Sequence, residues 1–198
     1  MGDPDPATRA VALGALRRLD ALPAATLVAA MSDPKPVLRR RACEEAAALH
    51  RSGGPTSDGP TSDGARRHLA SALVGRLADV DGGVAEAACF ALGEVLGSDE
   101  NGTGVAAPSA VAALAETATG HREPLCREAA VAALGAIGDP AALRAILAAT
   151  TDRPAVRRRA VLALAPFEGP GVDEAVAKAR TDRDWQVRQA AEDLSPDR

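Results

Sequence analysis

Val156-Arg157-Arg158-Arg159-Ala160-Val161-Leu162-Ala163-Leu164 carries a pattern that the chain repeats five more times, at residues 8–16, 38–46, 84–92, 126–134 and 187–195. With the first residue of each segment as position zero, position four is alanine in every copy: Ala12, Ala42, Ala88, Ala130, Ala160 and Ala191. Position one is arginine in five copies (Arg9, Arg39, Arg127, Arg157, Arg188), and Ala85 is the exception. An aspartate stands four or five residues upstream in five copies (Asp3, Asp33, Asp79, Asp152, Asp182), and His121 takes its place in the fourth. The copies start 30, 46, 42, 30 and 31 residues apart. A period near thirty with two enlarged gaps is the signature of stacked structural repeats carrying two insertions.

The period inside each copy is helical, and no segment alternates as a strand would. Apolar runs at helical spacing predict eleven helices, near 6–19, 23–31, 37–50, 65–78, 83–96, 108–118, 123–137, 140–149, 154–165, 171–180 and 184–194. They form five pairs and a lone first helix, about five and a half repeats of one domain over residues 1–198. Asp33-Pro34-Lys35-Pro36 reads as a turn, and Gly138-Asp139-Pro140 as a helix stop followed at once by a start. Two stretches break the rhythm. Residues 51–64 contain the tandem duplication Pro55-Thr56-Ser57-Asp58-Gly59 and Pro60-Thr61-Ser62-Asp63-Gly64, and residues 97–107 are also of low complexity. Both read as loop insertions, too poor in apolar residues to order themselves.

Composition narrows the function. Hydrophobic residues make up 46% of the chain but aromatics only 2%, with Phe90, Phe167 and Trp185 as the three. A core of Ala, Val and Leu demands helices that approach closely. A net charge of −4 disfavours nucleic-acid binding through bulk charge. There is no apolar run of about eighteen residues for a membrane span, and the first residues lack the basic and apolar parts of a signal peptide. A cytoplasmic location is expected. Three cysteines, Cys43, Cys89 and Cys126, lack metal-type spacing and read as small buried apolar residues. His50, His68 and His121 fall in different repeats with no pairing that suggests a metal or a catalytic base. Neither a cofactor nor a metal is expected.

Asp, then Val-Arg, then Ala at position four and Leu-Gly at eight and nine resembles the HEAT repeat. The short repeats of the phycobiliprotein bilin lyases are the nearest form. Val84…Ala88…Leu92-Gly93 and Cys126-Arg127…Ala130…Leu134-Gly135 carry the resemblance most fully. It implies an all-α fold, an α-α superhelix of the HEAT-like solenoid type. It also implies that the helix bearing the position-one arginine lines the concave face, and that each such arginine ties to an aspartate in a ladder between repeats. Ala85 and His121 should interrupt that ladder in mid-chain and make the junction of repeats three and four a weak joint.

On the helices assigned to the groove, positions two, three, six and ten should face solvent. They give Arg40 and Arg41 towards the N-terminal end and Glu86, Phe90, Glu94 and Glu128 in the middle. Arg158 and Arg159 follow towards the C-terminal end. Basic flanks around an acidic middle with one aromatic suit a protein or peptide partner, the Phe giving affinity and the charges giving register. The first reading is therefore a non-catalytic scaffold that binds a partner in its groove. The alternative is a lyase-like or small tailoring enzyme, or an enzyme subunit, acting on a small molecule held there. A third reading, by likeness to the HEAT-like alkylpurine glycosylases that bind DNA, is disfavoured by the acidic charge and by Trp185 standing alone.

Overall fold

The computed structural model describes residues 3–51, 60–97 and 107–194. Among them are eleven α-helices, one short 3-10 turn at Pro140–Ala142 and no strand. The helices are α1 Pro6–Arg18, α2 Ala24–Ala30, α3 Pro36–Arg51, α4 Pro60–Val74, α5 Gly82–Leu96, α6 Pro108–Gly120, α7 Pro124–Ile137, α8 Leu143–Ala149, α9 Pro154–Ala163, α10 Pro170–Ala179 and α11 Trp185–Leu194. Seven of them begin on a proline, which fixes where they start, because a first helical residue needs no N–H and the ring presets φ. Asp5 caps α1 by accepting from the Ala7 and Thr8 amides, and Asp81 caps α5 through the Val84 amide. Gly138 ends α7 at φ 68°, in the left-handed region that glycine tolerates.

The eleven helices match the sequence expectation, but one insertion is shorter than drawn. The loop placed at 51–64 loses both ends, since Arg51 belongs to α3 and residues 60–64 open α4. Pro60 sits where a helix accepts proline best, so the second copy of the duplicated pentapeptide becomes a helix start. The remainder of that insertion, 52–59, and most of the second, 98–106, lie outside the described residues.

The chain drawn from sequence as one domain is compact in two units, residues 1–110 and 111–198. In the first, α1, α3 and α5 lie side by side in one row, with α2 packed on α3, α4 on α5, and α2 against α4. In the second, α7, α9 and α11 form the equivalent row, with α8 packed on α9, α10 on α11, and α8 against α10. Each unit is thus a stack of helical hairpins, and every copy of the sequence repeat lies on a row helix.

Close approach is visible in the core. Ala42, Ala88, Ala130, Ala160 and Ala191 are wholly buried. Ala12 is only partly buried. Gly135 of α7 meets α9 so closely that a Cβ there would stand 2.7 Å from the Ala163 Cβ and 2.8 Å from its Cα. Cys43, Cys89 and Cys126 are buried and in no disulfide, as expected of small apolar residues. Burial pushes the Cys43 thiol up to about 12, so it stays neutral.

Candidate interaction surface

The side-chain chemistry that sets the row helices in register is a chain of arginine–aspartate pairs. Arg39 of α3 donates through Nε and Nη2 to the two carboxylate oxygens of Asp79, at 2.8 and 2.6 Å. Arg127 holds Asp152 at 2.7 and 2.8 Å, and Arg157 holds Asp182 at 2.9 and 2.7 Å. Arg9 reaches Asp33 through Nη2 alone, at 2.9 and 3.2 Å. Nη1 of Arg9, Arg39, Arg127 and Arg157 also turns back to the turn before its own helix, donating to the carbonyls of Asp3, Asp33, His121 and Asp152 respectively. One guanidinium therefore closes its own turn and grips the next one. Hydrogen bonding from these arginines holds the carboxyls of Asp79, Asp152 and Asp182 below the usual carboxylate range.

Two rungs lie within each unit. Ala85 has no guanidinium to offer a fifth, and the step from Ala85 to His121 spans the boundary between the units at residues 110 and 111. His121 nonetheless keeps the local half of the aspartate's work. Its Nδ1 accepts the Glu123 amide at 3.1 Å, as Asp33 accepts the Lys35 amide at 2.8 Å and Asp79 the Asp81 amide at 3.0 Å. The turn survives the substitution and the charge does not.

At the positions expected to face solvent, the residues singled out above are exposed or half-buried, while Ala10, Gly14 and Ala190 at the same positions of other copies are buried. In the first unit Arg40 is exposed, and Arg41, Glu86 and Glu94 are half-buried. Phe90 of α5 keeps 50% of its surface exposed, one turn after Glu86 and one turn before Glu94. Spacing by four places the three on one stripe of α5. Arg40 donates to Glu44 at 2.9 Å. In the second unit Glu128, Arg158 and Arg159 are all half-buried, and Arg159 on α9 faces Glu128 on α7 at 3.7 Å. The structure therefore gathers Glu86, Phe90 and Glu94 on one helix and pairs Glu128 with Arg159.

Sequence reasoning missed Glu45. This carboxylate of α3 is buried, and it is held between Arg17 of α1 and Arg41 of its own helix. Gly14 leaves the space: a Cβ there would run into the Arg41 guanidinium. Arg41 is thus largely committed to the fold, bound to both Glu44 and Glu45. A signal existed in the sequence, since position seven is Ala15, Ala91, Ala133, Ala163 and Leu194 in the other copies. A lone acid at an apolar position asks for a buried partner.

Among the described residues no helix is long and apolar enough to cross a membrane, and no group of three His, Cys, Asp or Glu could hold a metal ion.

Residues 70–165 match the family model for HEAT repeats. No curated protein matches the chain. Solved structures of the same fold include an engineered protein at 19% identity and a TM-score of 0.68, covering 98% of this chain and 91% of that one. A designed armadillo repeat protein in complex with the peptide (KR)4 aligns at 19% identity and a TM-score of 0.68, over 93% of this chain and 84% of that one. The complex of CpcE and CpcF of the phycocyanin lyase from Nostoc sp. PCC7120 aligns at 17% identity and a TM-score of 0.61, over 87% of this chain and 97% of the other. At these identities the likeness is one of fold, and the fold has the stacked hairpins of an α-α solenoid. With the repeat pattern, the arginine–aspartate rungs and the match over residues 70–165 in agreement, the chain has a HEAT-like repeat fold.

Proposed function

We propose that this protein is a non-catalytic, cytoplasmic scaffold whose row-helix surface receives a segment of a protein partner. The observation that carries the reading is Phe90. A half-exposed aromatic between two glutamates, on a helix otherwise rich in alanine, offers an apolar anchor inside a charged frame. Glu86 and Glu94 set the charge preference around that anchor, and Arg40 supplies the basic side with Arg41 behind it. In the second unit Glu128, Arg158 and Arg159 form the corresponding mixed-charge surface. The partner this arrangement fits is a peptide or helix with an apolar side chain flanked by basic residues.

Two solved structures of this fold support a partner of that kind, one a designed armadillo protein with a bound peptide and one a complex of two chains. Chemical crosslinking and capture from the native cell, run in parallel on the wild type and on Phe90→Ala, tests the reading. A partner crosslinked to α5 in the wild type and lost in the variant supports it. A partner retained by the variant and crosslinked elsewhere overturns it.

A further inference from the structure

The position-one arginines perform two tasks, and one of the five performs only the first. In Arg39, Arg127 and Arg157, Nη1 closes the preceding turn while Nε and Nη2 form a fork around the aspartate of the next repeat. Arg188 of α11 repeats the first half faithfully. Its Nη1 donates to the Asp182 carbonyl at 2.8 Å and to the Arg183 carbonyl at 3.3 Å. Among the described residues nothing accepts from its Nε or Nη2. The guanidinium is oriented by its own turn, and its fork is empty.

The matching half lies at the head of the first repeat. Asp3 Oδ1 accepts the Asp5 amide at 2.8 Å. This is the same turn bond that Asp33, Asp79 and Asp182 make while an arginine grips them. Asp3 keeps that posture with no arginine facing it among the described residues.

We propose that Arg188 of one copy of this chain receives Asp3 of a second copy, forming between two molecules the rung that each makes four times within itself. Both groups are held in the required posture before they meet, so little ordering cost remains for the contact. A bidentate guanidinium–carboxylate pair also fixes direction as well as charge. Uncovered apolar surface accompanies each half. Trp185, one turn before Arg188 on α11, is 64% exposed, and Val11, one turn into α1, is 68% exposed. On α1 the position-zero residue Thr8 is exposed and Ala12 only partly buried, whereas their counterparts in the other five repeats are buried. Glu192 works in the opposite direction. It is exposed at position five, where the other copies bury Leu13, Cys43, Cys89, Val131 and Val161. The joint is therefore small and polar, and the association is weak, salt-sensitive and dependent on concentration. Because the two surfaces differ, it runs head to tail and lengthens as the concentration rises.

Sedimentation equilibrium of the 198-residue chain at low ionic strength tests this. The wild type should grow beyond a dimer with concentration and return to monomer in high salt. D3N and R188Q should each weaken the association by about tenfold or more. R188K, which keeps the charge but not the fork, should stay as weak as R188Q. A mixture of D3N with R188Q should form dimers and nothing longer, since exactly one intact joint remains per pair. Circular dichroism checks that each variant is folded; if R188Q is not, D3N and R188K carry the comparison. A wild type that stays monomeric at every concentration overturns the proposal, and so does assembly that D3N and R188Q leave unchanged.

Discussion

Asp79 lies in the fork of Arg39, forty residues away in sequence, with both carboxylate oxygens engaged at 2.6 and 2.8 Å. Of the four rungs this is the most deeply covered, with side chains 3% and 9% exposed, against 15% and 12% for Asp33 and Arg9. Removing the charge from a covered pair leaves the other charge buried alone, a cost of about 3 kcal/mol or more. Asp79→Asn should therefore lower the stability of the first unit by about that much. Asp33→Asn, whose arginine keeps more contact with water, should cost only about 1 kcal/mol. Urea titration followed by circular dichroism measures both. Equal losses would mean that burial does not rank the rungs.

Acid should act through the same groups. The folded carboxyls of Asp79, Asp152 and Asp182 lie below their unfolded value because arginine hydrogen bonds favour the charged form. The stability they contribute is fully present above the unfolded value of about 3.9 and is lost as pH falls through the lower folded values. The urea midpoint should accordingly hold steady from about pH 7 to pH 5 and decline below about pH 4. Asp182→Asn should start lower and decline less steeply. A variant whose midpoint falls in parallel with the wild type would remove this rung from the account.

The residues of the ladder were legible in the sequence because they are periodic, and their pairing was what the resemblance to the HEAT repeat implied. Asp, Arg and Ala recur at fixed offsets, and a side chain that repeats with the helical hairpin must do the same work in each copy. What was not legible departs from the period. The Arg17–Glu45–Arg41 cluster occurs once and depends on how α1 lies on α3, a contact that no spacing within either helix encodes. The start of α4 was lost because Pro60-Thr61-Ser62-Asp63-Gly64 has the composition of a loop, and only its position before a helix makes it a first turn. The partial burial of Ala12 was not legible either, since its sequence environment matches that of its buried counterparts. Phe90 falls at position six, where Asp193 is also exposed but Gly14 is buried against Arg41 and Glu45, so position alone does not decide its exposure. Glu44 and Leu162 at the same position are half-buried.

Gly135→Ala sets two effects of opposite sign against each other. Alanine favours a helix interior over glycine by about 1 kcal/mol. The new methyl, however, would stand 2.8 Å from the Ala163 Cα, a backbone atom that cannot swing aside. Overpacking of that kind costs about 1–3 kcal/mol. The clash should win, and the second unit should lose about 1 kcal/mol net. Gly75→Ala gives the contrast, since the nearest atom to its added methyl is 3.3 Å away, a tight contact with a carbonyl and not a clash with a facing helix. A Gly135→Ala protein that melts higher than the wild type would show that α7 and α9 can separate without cost.

Phe90 gives the last prediction, because stability and binding should separate there. Its side chain is half exposed, so truncation removes little buried surface, and Phe90→Ala should lower stability by no more than about 1–2 kcal/mol, against about 3–5 for a core phenylalanine. If Phe90 anchors a partner, the same truncation should weaken capture by about 2 kcal/mol or more, roughly thirtyfold. Glu86→Lys and Glu94→Lys reverse the charge on either side of the anchor. They should change the association rate and its salt dependence more than the melting temperature. The diagnostic result is the ratio of the two effects. A Phe90→Ala protein that loses 3 kcal/mol of stability or more, while both reversals leave the association rate untouched, would make Phe90 part of the core. Recognition would then have to lie on the second row of helices.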